Sequence, residues 1–411
     1  MGNVQVEGDR RVEAKLASTV PAMTQPRSGE GFEVSVVMPC LNEAKTVGVC
    51  VEKAIAALNA SNVHGEVIVA DNGSTDGSIE IAMKAGARIV HQPVPGYGSA
   101  YMKGFEAARG RYILMADSDD TYDFADLPQF LAPLRAGYDA VIGNRFKGKI
   151  LPGAMPWSHR YIGNPVLSGL LNLFFHTGIG DAHCGMRAFT KEAYQRMHVQ
   201  TGGMEFASEM VINLAKSGLR MTEVPITYYP RVGASKLQSV RDGWRHLRFM
   251  LLYSPTHLYL WPGAVLMALG FLALFSLALG PVRLGGMTFG IHYMFLGSLL
   301  AILGFQVINL GFFARVYSLS SHIDQSRDRV VTFFSRAFRM EHGLLAGALM
   351  LLMGVLNYAA IVGFWLRGDF EILYSIRLSI LALTFSVIGA QTMFASFFVS
   401  MMVVKRHGWG R

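Results

Sequence analysis

Four stretches in the second half of the chain carry no charged residue. They run from Leu258 to Leu279, Ile291 to Ala314, Gly343 to Leu366 and Leu378 to Val404, and none contains Asp, Glu, Lys or Arg. Each reaches the roughly 20 residues that take an α-helix across a bilayer. A helix of a water-soluble domain keeps one polar face, so four such runs in succession are expected to be membrane spans. Composition agrees: of 411 residues 51% are hydrophobic and 16% charged, where a soluble domain carries about 25% charged.

The formal charge of +8 would suit nucleic acid, but its distribution does not. The first 254 residues hold 26 Lys+Arg against 24 Asp+Glu, and the apolar remainder holds 11 against 5. Basic residues flanking apolar runs mark the loops of a membrane protein. Arg241, Arg245, Arg248, Arg315, Arg327, Arg329, Arg336, Arg339, Lys405, Arg406 and Arg411 fall on one side of the spans, and Arg283, Arg367 and Arg377 on the other. That asymmetry places the N-terminal domain and both termini in the cytoplasm. The segment Val240 to Tyr253 alternates arginines with Trp244, Leu247, Phe249 and Leu251, which at helical spacing suits a helix lying in the headgroup region; the loop Val330 to Phe338 reads the same way. Residues 1–30 are polar, lack the apolar core of a secretory signal, and read as a flexible tail. Cys40, Cys50 and Cys184 form neither a metal spacing nor a disulfide framework. The expected organisation is therefore tail 1–30, globular domain 31–239, interfacial segment 240–256, four-helix membrane domain 257–405 and cytoplasmic tail 406–411.

Between Glu33 and Ile226 short β-rich runs alternate with helical ones. Strands are expected at Val34–Met38, Glu66–Ala70, Arg88–His91 and Tyr112–Ala116, with helices at Ala44–Leu58, Ser78–Ala85 and Ser99–Ala108. The alternation predicts a parallel α/β sheet, in which ligands gather at the carboxyl ends of the strands. Polar clusters stand there: Asn42-Glu43 after the first strand, Asp71-Asn-Gly-Ser-Thr-Asp76 after the second and Asp117-Ser-Asp119-Asp120 after the fourth. One such cluster would be an ordinary turn; three on one sheet edge point to a site. Asp117 and Asp119 project the same way from an extended chain, so both carboxylates can meet one hard cation, Mg²⁺ or Mn²⁺. Asp71 is placed for a base or ribose.

Pro39-Cys-Leu-Asn42-Glu43, Asp71-Asn-Gly-Ser74 and Asp117-Ser-Asp119 resemble the inverting family 2 glycosyltransferases of GT-A fold. Gly143-Asn-Arg145, Arg160, Asp181-Ala-His-Cys-Gly-Met-Arg187 and Arg231-Val-Gly-Ala-Ser235-Lys236 are similar to the polyprenyl-phosphate sugar transferases, the group of dolichol-phosphate mannose synthase. The resemblance covers residues 33–254 and extends to the spans only in general character. It implies a Rossmann-like GT-A domain followed by an all-α membrane domain. It also implies transfer of one sugar from UDP-hexose or GDP-mannose to undecaprenyl or dolichyl phosphate at the cytoplasmic membrane face. On this footing Pro39, Asn42, Glu43, Asp71 and Asp117 hold the nucleotide sugar, and Asp117 and Asp119 the metal. Arg145, Arg160, Arg231, Ser235 and Lys236 meet the lipid phosphate or donor diphosphate, with Asp119, Arg145 and Arg231 closest to the chemistry. In the mannose synthases a third metal-contacting side chain is often Gln two residues after the second Asp; Thr121 stands here, so Thr121 or water is expected. A homo-oligomer follows by the same analogy.

The chemistry itself asks for little more. A lipid monophosphate oxygen is already anionic, so transfer needs an orienting cationic pocket and stabilisation of the departing diphosphate. Arginine supplies paired hydrogen bonds to phosphate. Glu205 and Glu209, four apart, share a helix face that either holds the acceptor arginines or is simply solvated. Two rival readings remain at this level. Of a processive polysaccharide synthase or a glycolipid synthase, the first would resemble the enzymes that carry Q-x-x-R-W, where Gln238-Ser-Val-Arg241-Asp242 has Asp in the Trp place, and the second gives no reason for so many phosphate-seeking arginines. A non-catalytic membrane protein would have eroded the metal carboxylates, and both are present.

Overall fold

The computed structural model describes residues 31–233, 239–320, 340–367 and 372–404. The chain divides into two compact units, Met1–Met250 and Leu251–Arg411. Ser235, Lys236, the loop Val330 to Phe338, and Arg327, Arg329, Arg336, Arg339, Lys405, Arg406 and Arg411 lie outside the described residues.

The first unit is built on seven strands. In chain order they are β1 (Val34–Cys40), β2 (Gly65–Asp71), β3 (Arg88–His91), β4 (Tyr112–Met115), β5 (Ala140–Ile150), β6 (Arg187–Thr190) and β7 (Met221–Tyr228), arranged β3-β2-β1-β4-β6-β5-β7. Helices α1 (Val47–Ala60), α2 (Ser78–Lys84) and α3 (Tyr97–Ala107) connect β1 through β4. Covered on both faces, β1 and β2 are buried almost throughout, which is why they read as continuous Val/Ile runs.

The sheet is mixed rather than wholly parallel. β1 runs parallel to β2 and β4, and β5 to β7, but β6 is antiparallel to both β4 and β5. Four residues beginning with a buried arginine carry no strand periodicity, so nothing local announces β6. This inserted strand gives the sheet the GT-A arrangement and brings the loop before it, residues 176–186, to the ends of β4 and β5.

Helix α4 (Leu127–Arg135) follows β4, α5 (Asn164–Phe175) follows β5, and α6 (Lys191–Met197) follows the inserted strand, with α7 (Phe206–Lys216) preceding β7. The core gathers Val37, Ile68, Ile113 and Met115 from the sheet against Tyr101 and Phe105 of α3 and Phe206 and Met210 of α7. Tyr101 and Phe206 stack in parallel at 5.8 Å, and Phe105 meets Phe189 edge-on at 5.0 Å. Burying such a side chain stabilises the fold by about 2–3 kcal/mol. Gly104 lets α3 lie on the sheet, since a methyl there would collide with Val37.

Helix α8 (Ser239–Leu252) forms where the alternation of arginine and apolar residues predicted it. His246, Phe249 and Met250 are buried, while Arg241, Trp244, Arg245 and Arg248 are exposed.

The second unit contains α9 (Trp261–Ala278), a short hairpin of β8 (Val282–Leu284) and β9 (Met287–Phe289), α10 (Ile291–Ser320), α11 (Met340–Arg367) and α12 (Ile372–Val404). Among the described residues four segments are long and apolar enough to cross a membrane: Thr256–Ala278, Ile291–Val316, Met340–Arg367 and Ser375–Met402. Leu272, Phe275, Leu349 and Phe394 project outward, an apolar surface that lipid satisfies and water does not. Glycines spaced by seven let the helices touch. Gly263 and Gly270 face Gly304 and Gly297, and Gly347 faces Gly389; a Cβ at any of them would press on opposing backbone.

Candidate active site

The loops that follow β1, β2 and β3 are laced to one another by the polar clusters themselves. Asn42, at φ 53°, donates its N–H to Ser74 Oγ at 3.0 Å and accepts from Thr75 N–H at 2.8 Å. Glu43 N–H donates to Ser78 Oγ at 2.9 Å, and Ala44 N–H to Asp76 Oδ2 at 3.0 Å. Asp71 is fully buried. Its two oxygens accept from Gly73 N–H (3.1 Å) and Ser74 N–H (3.0 Å), and His91 Nδ1 stands 3.0 Å away. Asn72 donates to the carbonyls of Gln92 and Val94 and accepts from Gly96 N–H at 2.7 Å. Pro39 contributes its carbonyl, which accepts from Ser118 Oγ at 2.6 Å. The turn chemistry and the site are thus one object: Asx turns fix the rim into which a ligand would settle.

At the end of β4 each carboxylate of the Asp117-Ser-Asp119 run has one oxygen tied down. Asp117 Oδ1 accepts from Tyr97 OH at 2.9 Å and from Tyr101 OH at 3.0 Å. Asp119 Oδ1 accepts from Thr121 Oγ1 at 2.6 Å and Thr121 N–H at 3.2 Å. Thr121, which the sequence left beside water as a candidate third metal contact, here donates to the second aspartate. Burial raises the Asp117 pKa to about 6, the neighbouring Asp119 charge adding to it while the two tyrosine hydroxyls and Arg231 oppose it. Asp120 adopts φ 62° and pairs with Lys53 at 2.6 Å, turning the chain just after the carboxylates.

Arg231 closes the cluster. One end of its guanidinium donates to Glu43 Oε1 at 2.7 Å, the other lies 3.3 Å from Asp119 Oδ2, and its Nε is buried without a hydrogen-bond partner among the described residues. Glu43, Asp119 and Arg231, expected as nucleotide, metal and phosphate residues, therefore meet in one place.

The other two arginines sit differently. Arg145 is buried and forked onto Asp181, Nε to Oδ2 at 2.7 Å and Nη2 to Oδ1 at 2.8 Å, with its own N–H on the same carboxylate at 3.0 Å. Its guanidinium also lies 5.1 Å from the Tyr228 ring centroid. Arg160 is half-buried in a wide helical turn, His159–Gly163. It lies 5.5 Å from the Tyr161 ring, in a segment whose Trp157, Tyr161, Ile162 and Val166 are exposed.

The contacts that surround these side chains were not legible in the sequence, even where the residues themselves were. Tyr97 and Tyr101 are four apart on α3, a spacing that puts them on one face, but nothing local says that the face meets Asp117. Tyr122 OH accepts from Gly185 N–H at 2.8 Å, and a Cβ on residue 185 would stand 2.7 Å from Asp117 Oδ2. Arg187 is buried and donates to the carbonyls of Cys184, Ala207 and Ala182, each at 2.8 Å. Ser208 Oγ joins His183 Nε2 (3.1 Å) to His246 Nδ1 (2.8 Å), fastening α8 to α7. Glu209 is buried, holding the N–H groups of Gln200 and Thr201, so it is not a solvated helix face.

The pattern of Glycosyl transferase family 2 matches residues 35–197, and that of the Glycosyltransferase family 2 C-terminal transmembrane region matches residues 312–403. The chain is 42% identical over 371 residues to the low-salt glycan biosynthesis hexosyltransferase Agl6 of Haloferax volcanii, spanning 90% of this chain and 89% of that one. It is 32% identical over 213 residues to the dolichyl-phosphate hexose transferase of the same organism, spanning 51% of this chain and 89% of the other. A structure of glucosyl-3-phosphoglycerate synthase from Mycobacterium tuberculosis with Mn²⁺, UDP-glucose and phosphoglyceric acid aligns at 22% identity and TM-score 0.44, over 54% of this chain and 79% of that one.

Proposed function

The chain belongs to glycosyl transferase family 2, and on that premise we propose that it moves one sugar from UDP-hexose or GDP-mannose onto a polyprenyl phosphate at the cytoplasmic face of a membrane. It is a glycosyltransferase and an integral membrane protein. The finer reading is supported by the name of the dolichyl-phosphate hexose transferase relative and, in this chain, by Arg231. A guanidinium that bridges Glu43 and Asp119 while its buried Nε has no partner among the described residues is a cation built to receive an anion at the edge of the nucleotide cluster. An unmatched buried donor is costly, and a phosphate oxygen relieves that cost.

The acceptor arrives with a lipid tail. Arg160 lies in a segment whose Trp157, Tyr161, Ile162 and Val166 are exposed, an environment in which a phosphate carried on an isoprenoid meets a cation and an apolar surface together. The acceptor phosphate oxygen attacks the anomeric carbon as the bond from that carbon to the nucleoside diphosphate breaks, with inversion. No general base is needed because the nucleophile carries its charge already. Asp117 and Asp119 would hold Mg²⁺ or Mn²⁺, which when bound neutralises charge on the departing diphosphate. The donor set suits such an ion: two hard carboxylates, the usual protein share where substrate phosphates and water complete the shell. Among the described residues no group of three or more His, Cys, Asp or Glu offers an all-protein cage.

The reading is tested with purified protein, undecaprenyl phosphate and dolichyl phosphate in parallel, Mg²⁺ or Mn²⁺ and a panel of nucleotide sugars, the lipid extract being read by mass. One donor should add a single hexose or aminosugar to the monophosphate. A ladder of sugars would convert the reading to a processive synthase, and no product from any donor would remove polyprenyl phosphate as the acceptor.

A further inference from the structure

Asp117 and Asp119 are held by the same device, built from different residues. In each, Oδ1 is the acceptor of two donors and Oδ2 is left on the other side. For Asp117 the donors are the hydroxyls of Tyr97 and Tyr101, at 2.9 and 3.0 Å. For Asp119 they are the hydroxyl and the N–H of Thr121, at 2.6 and 3.2 Å. Two donors exhaust the two in-plane lone pairs of a carboxylate oxygen, so neither Oδ1 has a direction left for a ligand. Oδ2 of Asp117 faces Gly185, where a single added carbon would stand 2.7 Å away; the absence of a side chain there keeps that oxygen approachable. Oδ2 of Asp119 faces Arg231.

We infer that Tyr97, Tyr101 and Thr121 are positioning residues that make each aspartate a one-oxygen ligand, presenting Oδ2 alone to a divalent cation and its diphosphate. The inference rests on the metal-dependent transfer proposed above. The tyrosines are not free to move off. Tyr101 is stacked on Phe206 at 5.8 Å, and Tyr97 meets Tyr101 edge-on at 5.0 Å. Thr121 is likewise buried. A carboxylate so restrained has lost its rotamer freedom before the ligand arrives, and that pre-organisation lowers the cost of binding. Partners that orient a ligating side chain typically contribute about 10–100-fold in metal affinity. The arrangement also assigns Thr121 a role other than coordination: its hydroxyl proton is spent on Asp119.

The test is Mn²⁺ binding to the full-length protein in the presence of UDP and, separately, of GDP, followed by electron paramagnetic resonance of the free ion, with thermal unfolding in parallel; the variants are compared with the nucleotide that the wild type takes up. Tyr97→Phe and Tyr101→Phe remove only an oxygen and keep the ring packing. Each should weaken Mn²⁺ severalfold and the pair by about 10–100-fold, with the unfolding midpoint nearly unmoved. Thr121→Val should weaken it about tenfold, and Thr121→Ser should restore it. Asp117→Asn is the control for the underlying reading. If the wild type takes up no Mn²⁺ with either UDP or GDP, the metal reading itself is lost. If the wild type binds and Asp117→Asn does not, while the double phenylalanine variant binds like the wild type, the positioning role is wrong and the metal reading stands.

Discussion

Replacing Arg145 by Met separates two roles for one residue, because its motif context marks it for phosphate whereas the fold gives it to Asp181. The two side chains are 7% and 0% exposed, and two charge-assisted hydrogen bonds of 2.7 and 2.8 Å join them. Removing the guanidinium leaves Asp181 with the residue-145 N–H and an uncompensated buried charge. Breaking a buried pair from one side costs about 3–5 kcal/mol. For a unit of this size about 1 kcal/mol moves the midpoint by roughly 2–4 °C, so Arg145→Met should lower thermal unfolding by roughly 6–20 °C. Adding Asp181→Asn removes the stranded charge and keeps an acceptor for that N–H, and the double variant should recover most of the loss. The assay is thermal unfolding of the purified full-length protein, with transfer rates taken well below each midpoint. An Arg145→Met protein that unfolds within 2 °C of the wild type yet transfers no sugar would refute the reasoning, since the guanidinium would then be acting at a phosphate.

Gly185→Ala should act on metal binding more than on the fold: the added carbon displaces Asp117 from Tyr97 and Tyr101, and overpacking of this kind costs about 1–3 kcal/mol; a tenfold or greater loss of Mn²⁺ affinity is expected by the same resonance measurement. Arg231→Ala should raise the KM for polyprenyl phosphate by about 10–100-fold, the worth of one or two hydrogen bonds to a charged group, and shift nucleotide binding much less, as titration calorimetry with UDP would show. Acid should loosen the first unit through His246, whose pKa burial lowers to about 4 from 6.5, with Arg187 adding to the shift and Asp242 and Glu205 opposing it. The unfolded chain takes up that proton first, so stability is intact above pH 6.5 and declines as the pH falls toward about 4, by on the order of 3 kcal/mol in full. Unfolding midpoints of the wild type and His246→Gln across that window should diverge in slope, and parallel curves would exclude His246 as the source. Trp157→Ala with Tyr161→Ala should impair transfer to long-chain acceptor while sparing a short water-soluble prenyl phosphate, compared by kcat/KM on the two.

The four spans were legible because charge is excluded from some twenty consecutive residues, a constraint that bilayer solvation writes directly into the chain. So were β1, β2 and β4, whose burial on both faces demands unbroken apolar runs, and the polar clusters that must end them. The Asp117-Ser-Asp119 run was visible for the same local reason. Tertiary structure alone decided the rest. Arg231 is 188 positions from Glu43, and Arg145 is 36 from Asp181. A hydrogen bond of that sequence separation leaves no period to read. The antiparallel β6 belongs to the same class, because four residues are held in the sheet by the strands on either side and not by their own preference. Which carboxylate each arginine pairs with depends on where the loops around β6 and β7 bring the two together, and pairing across the sheet is where that information resides.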